Sequence, residues 1–360
     1  MFINKYLKKM KPYKVCSHKA WEVDPCSVLK LDWNEATISP SPKVFEAIEL
    51  EAKQGRFSWY PNLDNEELRS HIANYSNVHE EQVEYFGSSD SLHEYIARTF
   101  LDADQSITIV GPTYDNFRAV AESTGSEVNF FYLTAEADYT LKASELKTFV
   151  EETNSSFIYL CSPNNPTGTV VPLEDIEYLL SNCPDTLLLL DEAYYEFNGV
   201  SAAGLIDKYN NLIITRTFSK AFGLASFRVG YCLASPQIIS AMNIIRNPKN
   251  IPTLSQVAAL AALRDFDYTS KYVAEVLKTK AWFGDQLIDL GYTTWQCPGG
   301  NYILLNVGSE AQGFVASLEM HNIFIRNYSH VKCMEGFVRI TIGTEVQMSR
   351  VLDCIKQYNK

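Results

Sequence analysis

Short apolar runs and helical patterns alternate through the middle of the chain, from Ser89 to Leu233. Each run has the length of a buried strand and is bounded by polar or small residues. Strands are predicted at residues 106–110, 128–132, 157–161, 187–190, 212–215 and 229–233. Because strands that alternate with helices form βαβ units, this pattern predicts a mostly parallel sheet with helices on both faces.

The pattern changes after about Met242. A long helical stretch covers residues 268–290. The strand-like segments that follow it are residues 302–307, 323–326 and 337–342. The predicted fold class is therefore α/β, with a large domain of mostly parallel sheet flanked by helices at residues 39–245 and a smaller α+β C-terminal domain at residues 246–360.

Composition and charge narrow the classes of protein. The chain has 360 residues, of which 46% are hydrophobic, and this is typical of a globular protein with interior enough for two domains. The formal net charge of −12 disfavours nucleic acid or an anionic membrane as a partner, because such partners usually require a basic surface. The apolar runs are strand-length, well short of a membrane span.

The cysteine and histidine residues show no metal-ligand spacing. The eight cysteines never form a Cys-x-x-Cys pair, and scattered thiols in a chain of this size indicate a reduced, cytoplasmic protein. The six histidines are not spaced as ligands either, so no metal is predicted. Residues 1–14 are basic but lack the apolar stretch of a signal peptide.

Lys220 has the clearest chemical signal in the chain. It follows a β-rich run at residues 211–216 and begins a turn of small residues, with Arg228 eight positions later. An amine held in such a turn can be deprotonated and attack an aldehyde, as a lysine does when it forms a Schiff base with pyridoxal phosphate. The alternative is an exposed loop lysine, which is what most lysines are.

Three other segments can reach the same crevice as Lys220. Residues 162–168 (Ser-Pro-Asn-Asn-Pro-Thr-Gly) and residues 191–194 (Asp-Glu-Ala-Tyr) each follow a predicted strand. Residues 87–91 (Gly-Ser-Ser-Asp-Ser) open a helical pattern. In open α/β sheets ligands bind beyond the carboxyl ends of the strands, so these loops and Lys220 are expected to converge.

Seven motifs occur in one order along nearly the whole chain. They are Leu31-Asp32-Trp33-Asn34-Glu35, Tyr60-Pro61 with Leu68-Arg69, Pro112-Thr113-Tyr114, Asn164-Asn165-Pro166-Thr167-Gly168, Asp191-Glu192-Ala193-Tyr194, Ser219-Lys220-Ala221-Phe222 and residues 338–344 (Val-Arg-Ile-Thr-Ile-Gly-Thr). Together they resemble the pyridoxal-phosphate-dependent aminotransferases of fold type I, class I and II, and most closely the histidinol-phosphate aminotransferase family. The resemblance implies pyridoxal 5'-phosphate as cofactor, and it implies that an N-terminal segment, residues 1–38, packs with the small domain.

The resemblance implies catalytic roles for three residues. Lys220 is expected to hold the cofactor and then to move a proton at the substrate α-carbon. Asp191 is expected to pair with the protonated pyridine nitrogen; the alternative is a turn or helix-capping aspartate after a strand. Tyr194, together with Asn165, is expected to hydrogen-bond the phenolate oxygen of the ring, although Asn-Pro is also a common turn signal.

The remaining cofactor contacts concern the ring face and the phosphate. Tyr114 is expected to stack on the ring, with ordinary aromatic packing as the alternative. A phosphate needs N–H donors at a helix N-terminus and a cation. The residues predicted to meet that need are Ser89, Asp90, Ser91, Ser219 and Arg228. The resemblance implies that Tyr60 reaches the same phosphate from the partner subunit, so a homodimer is expected.

Two arginines near the C-terminus are expected to bind the substrate. Arg339 offers a planar fork that keeps its charge, and Arg326, after a strand-like segment, is the second arm. The resemblance implies that they recognise a phosphate on the substrate and the carboxylate of the amino donor, and it places Asn34 at the same site. The alternative for both arginines is a solvated position at a strand end.

Lys249 departs from the pattern of the family. In residues 246–250 (Arg-Asn-Pro-Lys-Asn) the family usually has an aromatic residue after the proline, close to the substrate side chain. An ammonium group cannot replace the surface on which an imidazole stacks. Lys249, contributed across the dimer, therefore predicts a substrate whose side chain is polar or acidic, and disfavours histidinol phosphate. Phe117, expected on one helical face with Tyr114, is predicted to form the opposite wall with Tyr13. Alternatively, Lys249 points to solvent and stacking is supplied elsewhere.

Three functions stay open from the sequence. The first is an aminotransferase acting between an anionic, phosphorylated amine or amino acid and 2-oxoglutarate, with glutamate as the amino donor. The second is a pyridoxal-phosphate-dependent decarboxylase of a phosphorylated amino acid on the same fold. The third is a non-catalytic binding protein, which the full set of cofactor-binding residues disfavours. The first two differ in which bond at the α-carbon lies perpendicular to the ring, and sequence motifs hardly separate them.

Overall fold

The computed structural model describes residues 2–10, 19–295 and 298–358 of the protein. The β-strands are β1 (Leu29–Leu31), β2 (Val83–Phe86), β3 (Ser106–Gly111), β4 (Glu127–Tyr132), β5 (Ser155–Cys161), β6 (Leu187–Asp191), β7 (Leu212–Thr217), β8 (Gly230–Ala234), β9 (Thr293–Trp295), β10 (Tyr302–Asn306), β11 (Ile323–Asn327) and β12 (Phe337–Thr341). The α-helices are α1 (Pro42–Lys53), α2 (Glu66–Ser76), α3 (Ser89–Phe100), α4 (Asn116–Thr124), α5 (Ala143–Glu152), α6 (Leu173–Asn182), α7 (Pro236–Asn243), α8 (Thr253–Arg264), α9 (Phe266–Asp289), α10 (Ala311–Glu319) and α11 (Glu345–Tyr358). Across these described ranges, every helix is too short or too polar to cross a bilayer.

The larger of two sheets has seven strands in the order β2-β8-β7-β6-β5-β3-β4. Alternate residues of its inner strands enter two different apolar clusters. In β5, Ile158 and Leu160 pack in one cluster, whereas Phe157 and Tyr159 pack in the other. Because both faces of the sheet are covered, its inner strands are continuous apolar runs, and the strands predicted between residues 106 and 233 are confirmed as β3 to β8.

The predicted mostly parallel sheet is confirmed, with one strand that runs antiparallel to its neighbours. Strands β4, β3, β5, β6 and β7 are parallel, but β8 is antiparallel to β7 and to β2. The alternation of strands and helices is wrong at this step, because a loop with one short 3-10 turn (Ala225–Phe227) joins β7 to β8. A parallel return requires a long crossover, usually a helix, and this connection is too tight for one. The same loop carries Lys220 and Arg228.

The smaller sheet has five strands in the order β1-β11-β12-β10-β9. β1 pairs in parallel with β11, and the other neighbours are antiparallel. Helices α9 and α10 pack on it. The apolar cluster of this sheet includes Leu31, Tyr302 and Tyr194, and Tyr194 belongs to the loop after β6. The two sheets therefore meet at the carboxyl end of β6. The α/β fold class is confirmed, whereas the domain boundaries stay a prediction.

Candidate active site

A cavity of about 450 Å³ lies where the carboxyl ends of β6 and β7 meet the five-stranded sheet. The predicted site residues that line it are Ser89, Asp90, Tyr114, Asn165, Asp191, Tyr194, Ser219, Lys220, Arg228, Arg326 and Arg339. They come from both sheets and from five separate loops or helix starts. The loops that were predicted to converge with Lys220 beyond the strand ends therefore do meet at one cavity.

Lys220 lies in the tight loop between β7 and β8. Its Nζ donates a hydrogen bond to the backbone oxygen of Trp33, 2.8 Å away. Burial, with a further contribution from the charge of Arg339, lowers the pKa of Lys220 to about 8. Near neutral pH a much larger fraction of this side chain is neutral amine than in an ordinary lysine, and the neutral amine is the form that acts as nucleophile or base.

Asp191 ends β6, where three neighbours surround its buried carboxylate. The Tyr159 hydroxyl donates to Oδ2 at 2.9 Å, and the backbone N–H of Ala193 donates to Oδ1 at 3.1 Å. The Nε2 of His93 lies 3.8 Å from the same Oδ2. Burial lowers the pKa of His93, which favours the neutral imidazole, so none of the three neighbours cancels the carboxylate charge. That charge is available to a cationic group in the cavity.

The N-terminus of α3 approaches β8 very closely. Ser88 caps the helix, its Oγ accepting from the N–H of Ser91 at 3.2 Å. A Cβ atom on Gly230 would lie 2.6 Å from the backbone nitrogen of Ser89, so this approach requires glycine. The free N–H groups and the dipole of a helix N-terminus bind anions.

Arg228 adds a cation beside this helix start. Its guanidinium donates to Ser219 Oγ at 3.3 Å and to Asp90 Oδ2 at 3.0 Å. The Tyr114 hydroxyl donates to Oδ1 of the same carboxylate at 3.0 Å. Asp90 therefore holds both the cation and the Tyr114 ring at the cavity wall.

Tyr194 and Asn165 are each held by residues of the five-stranded sheet or of its flanking segments. Asn34 donates from Nδ2 to the Tyr194 oxygen at 2.9 Å, and Asn165 Oδ1 accepts from Arg339 and from the Tyr328 hydroxyl. Burial raises the pKa of Tyr194, so its phenol stays protonated. The Tyr194 hydroxyl and Asn165 Nδ2 are left as donors.

The structure corrects the prediction that Asn34 contacts the substrate. Its side chain is buried behind Tyr194, and its Oδ1 accepts from Thr341 at 3.0 Å. With both polar ends of the amide bonded inside the protein, Asn34 supports Tyr194 and does not line the cavity.

Arg326 on β11 and Arg339 on β12 are cross-strand partners, and both line the cavity. Arg339 is buried and donates to the backbone oxygen of Asp32 and to Tyr328. Its Nε has no hydrogen-bond partner within the described residues. Like charges opposite each other on neighbouring strands destabilise a sheet, and an unpaired buried donor costs further free energy. An anion bound between the two guanidinium groups would offset the repulsion between them.

Phe117 does not line the cavity, and the prediction that it forms a wall there is wrong. Its ring is fully buried and stacks on Tyr159 with 4.8 Å between ring centres. The helix α4 begins at Asn116, so Tyr114 precedes it and the two side chains share no helical face. Tyr13, the other residue of that predicted wall, lies outside the described residues.

Tyr60 and Lys249 lie side by side on the surface. Tyr60 is 77% exposed, and Lys249 Nζ lies 4.8 Å from the centre of its ring. Neither Tyr60 nor Lys249 is among the described residues that line the cavity. Their contribution to the site of a partner subunit stays a prediction.

Sequence analysis assigned no role to four residues that shape the site: His93, Tyr159, Tyr328 and Trp33, of which only Trp33 was part of a motif. The only available signal was a polar group within an apolar pattern, as for Tyr159 in the middle of β5. His93 lies one helical turn beyond the predicted anion-binding turn, on the face of α3 that packs against the sheet. Only the fold brings Tyr328 and Trp33 to the cavity wall, and Tyr159 and His93 against Asp191.

Comparison with known proteins decides the family. The family model for aminotransferase class I and II matches residues 27–355. The chain belongs to this family. A dihydroxyacetone phosphate transaminase of Campylobacter jejuni is 44% identical over 100% of this chain and 98% of that relative. A histidinol-phosphate aminotransferase of Geotalea daltonii is 33% identical over 91% of this chain and 92% of that relative.

A solved structure of this family has the same fold. The histidinol-phosphate aminotransferase from Sinorhizobium meliloti, crystallised in complex with pyridoxal-5'-phosphate, superposes with a TM-score of 0.88 at 24% identity, covering 99% of this chain and 98% of the other. The predicted fold type I architecture and the predicted resemblance to histidinol-phosphate aminotransferases are both confirmed.

The groups that line this aminotransferase cavity suit pyridoxal phosphate. Lys220 supplies an amine with a lowered pKa, Asp191 a buried carboxylate, and the start of α3 with Arg228 an anion site that Gly230 keeps open. For metals the finding is different: the described part of the chain contains no group of three His, Cys, Asp or Glu side chains arranged to hold an ion.

Proposed function

We propose that this aminotransferase uses pyridoxal phosphate to exchange an amino group between a phosphorylated substrate and the pair glutamate and 2-oxoglutarate. One observation carries the proposal. An amine with a lowered pKa, a buried carboxylate and a helix start with an arginine line the same cavity as the facing pair Arg326 and Arg339. The first set suits the cofactor, and the pair suits an anionic substrate.

Each cofactor-binding residue has a distinct task in this proposal. Pyridoxal phosphate supplies an aldehyde that condenses with amines and a ring that accepts electrons. Asp191 would hold the proton on its ring nitrogen, and the Tyr194 hydroxyl and Asn165 Nδ2 would donate to its ring oxygen. The residues that would hold its phosphate and ring face are Ser89, Ser91, Ser219, Arg228 and Tyr114, with Asp90 orienting the last two.

Lys220 moves the proton on which the reaction depends. With pyridoxal phosphate bound, Nζ would act as base and then as acid at the substrate α-carbon, and its pKa of about 8 would let it both accept and return a proton near neutral pH. The Trp33 backbone oxygen, as an acceptor of its hydrogen bond, fixes where Nζ lies.

A small phosphorylated ketone is the substrate that the relatives and the cavity favour together. The relative at 44% identity acts, by its name, on dihydroxyacetone phosphate, whereas the histidinol-phosphate aminotransferases are more distant at 33%. Two guanidinium groups facing one cavity suit the two charges of a phosphate ester or the carboxylate of glutamate. Dihydroxyacetone phosphate is therefore the amino acceptor that we propose first.

The proposed assembly is a homodimer in the cytoplasm. The surface segment that contains Phe57, Trp59 and Tyr60 exposes three large rings, and such a patch is typical of a subunit interface. Within that dimer, Tyr60 would reach the phosphate of the partner's cofactor, and Lys249 would accompany it to the mouth of the partner's site. The described cysteines are free thiols, which suits a reducing compartment.

The two half-reactions test the proposal. Glutamate added to the yellow holoenzyme should convert the cofactor from the aldehyde to the amine form, with loss of the visible absorbance and release of 2-oxoglutarate. Dihydroxyacetone phosphate should then restore the absorbance. Lys220→Ala should lose roughly a thousandfold or more in turnover, because nucleophile and proton carrier are both removed.

Lys208→Ala is the matched control, since this surface lysine pairs with Glu177, is not among the described residues that line the cavity, and should leave turnover unchanged. Release of carbon dioxide without formation of the amine form would support the decarboxylase instead. A holoenzyme that carries out neither reaction with any phosphorylated amine or ketone would rule out both activities.

A further inference from the structure

Trp33 lines the cavity from a segment that holds two functional residues in place. The backbone oxygen of Asp32 accepts a hydrogen bond from Arg339, and the next backbone oxygen, that of Trp33, accepts from Lys220. The backbone oxygens of two successive residues therefore bind the Lys220 amine and the Arg339 guanidinium, so both side chains are anchored to the same segment. Trp33 thus lines the cavity in the same segment that binds the Lys220 amine and the Arg339 guanidinium.

Neighbouring charges hold the indole in position. The Nζ of Lys30 lies 4.0 Å from the centre of the Trp33 ring, a cation–π contact. That ammonium group is itself paired with Asp32 at 3.1 Å and with Glu35. A large, flat side chain with a cation held against it by two carboxylates has little freedom to move aside for a bulky ligand.

We propose that Trp33 is a specificity-determining residue that restricts the substrate to a short carbon skeleton bearing a phosphate, such as a three-carbon ketone or amine. This inference rests on the proposed function and names its substrate class. A flat ring attached beside the reacting carbon, as in histidinol phosphate, would have to occupy the space that the indole fills. Exclusion by an immobile side chain separates substrates more sharply than a weak attraction does.

Binding measured by calorimetry on the holoenzyme tests the size limit without turnover. Glycerol 3-phosphate should bind to the wild type at least about tenfold more tightly than phenyl phosphate, in the range typical of small differences in apolar size. Trp33→Ala should remove or invert that difference, and Trp33→Phe should give an intermediate ratio. Lys30→Met removes the cation that holds the indole but leaves Trp33 in place, and it should also shift the ratio towards phenyl phosphate.

Kinetics on the same variants connect the size limit to the reaction. The ratio of kcat/KM for histidinol phosphate to that for the three-carbon amine corresponding to dihydroxyacetone phosphate should rise by about tenfold or more in Trp33→Ala. Phe45→Ala is the matched control, because this aromatic side chain is exposed on α1 and is not among the described residues that line the cavity, and it should leave the ratio unchanged.

Unchanged binding ratios in a folded Trp33→Ala protein would overturn the inference. If the binding ratio shifts but no phosphorylated amine or ketone is converted, Trp33 still limits ligand size and the proposed reaction is what has failed. If Phe45→Ala shifts the ratio as much as Trp33→Ala, the limit is not set at Trp33 and the inference is likewise overturned.

Discussion

The chemistry of Lys220 depends on charges that the chain places around it. Burial and the positive charge of Arg339 lower its pKa, whereas the negative charges of Glu35 and Asp90 raise it, and the balance is a value of about 8. Arg339 therefore lowers the proton affinity of the nearby amine, in addition to the anion binding that we propose for it.

The pH dependence of cofactor capture follows from this balance. The neutral amine attacks the aldehyde, so the rate at which cofactor-free protein captures pyridoxal phosphate should rise with pH and level off above about 8. Arg339→Gln removes a cause that lowers the pKa and should move the midpoint to higher pH. Glu35→Gln removes a cause that raises it and should move the midpoint to lower pH, as stopped-flow absorbance would show.

A rate that does not vary with pH across the midpoint, or two variants that shift it in the same direction, would contradict this account. The borohydride-reduced protein should carry the cofactor on Lys220 in both variants, which controls for loss of the site itself.

Sequence analysis predicted most of the cavity residues because they lie in short motifs after apolar strands. It failed where a role depends on packing between distant elements. Phe117 was assigned to the cavity from its spacing to Tyr114, but the helix begins two residues after Tyr114, and the ring joins the core. Tyr159 and His93 reach Asp191 from β5 and α3, and no local pattern indicates that meeting.

At the scale of elements, apolar runs predicted the strands that are buried on both faces. The short strands at the sheet edges escaped: β1 has three residues, and β2 carries a charged residue, Glu84, in its middle. The antiparallel return of β8 escaped as well, because the apolar pattern of a strand does not encode its direction. That return places the loop of Lys220 and the start of α3 on one side of the cavity.

Gly230 is the residue on which the packing of β8 against α3 depends. In Gly230→Ala, the added Cβ would meet the backbone nitrogen of Ser89 at 2.6 Å, so the helix start would have to shift. We expect the affinity for pyridoxal phosphate to fall by roughly tenfold or more, because the N–H donors lose their alignment with the phosphate. Affinity for pyridoxal, which has no phosphate, should fall much less.

Gly204→Ala provides the control, since a Cβ at that position meets nothing within 4 Å. Titration of the cofactor-free variants measures both affinities. Equal losses for pyridoxal and pyridoxal phosphate would show that Gly230 supports the fold in general and not the phosphate site.

At the scale of the whole molecule, the exposed pair Tyr60 and Lys249 raises the question of which cavity it serves. Tyr60 is outside the cavity of its own chain and stands on an exposed aromatic segment. A side chain that completes the site of a neighbour makes each active site dependent on two subunits, as closed two-fold assemblies allow.

Hybrid dimers test that dependence. Tyr60→Ala and Lys220→Ala are each expected to be impaired as homodimers. When the two variants are mixed and allowed to exchange subunits, the hybrid contains one site with an intact Lys220 and an intact Tyr60 from the other chain. The mixture should therefore exceed the summed activity of the separate variants. Activity equal to that sum would mean that Tyr60 does not act across a subunit boundary.

The pairing of β1 with β11 sets the order in which a newly made chain can finish folding. Leu29 is aligned with Ile323, and the bond from Thr341 to the Leu31 backbone oxygen spans 310 positions. As the ribosome extends the chain, the seven-stranded sheet has all its strands long before β11 exists, and the apolar residues of β1 wait without a partner. Asp32 and Trp33, immediately after β1, likewise lack their partners from the C-terminal part of the chain at that stage. A nascent chain can therefore bury most of its core before β11 and β12 are made, but its cavity is complete only after both have been added, and β1 needs protection from other chains until then.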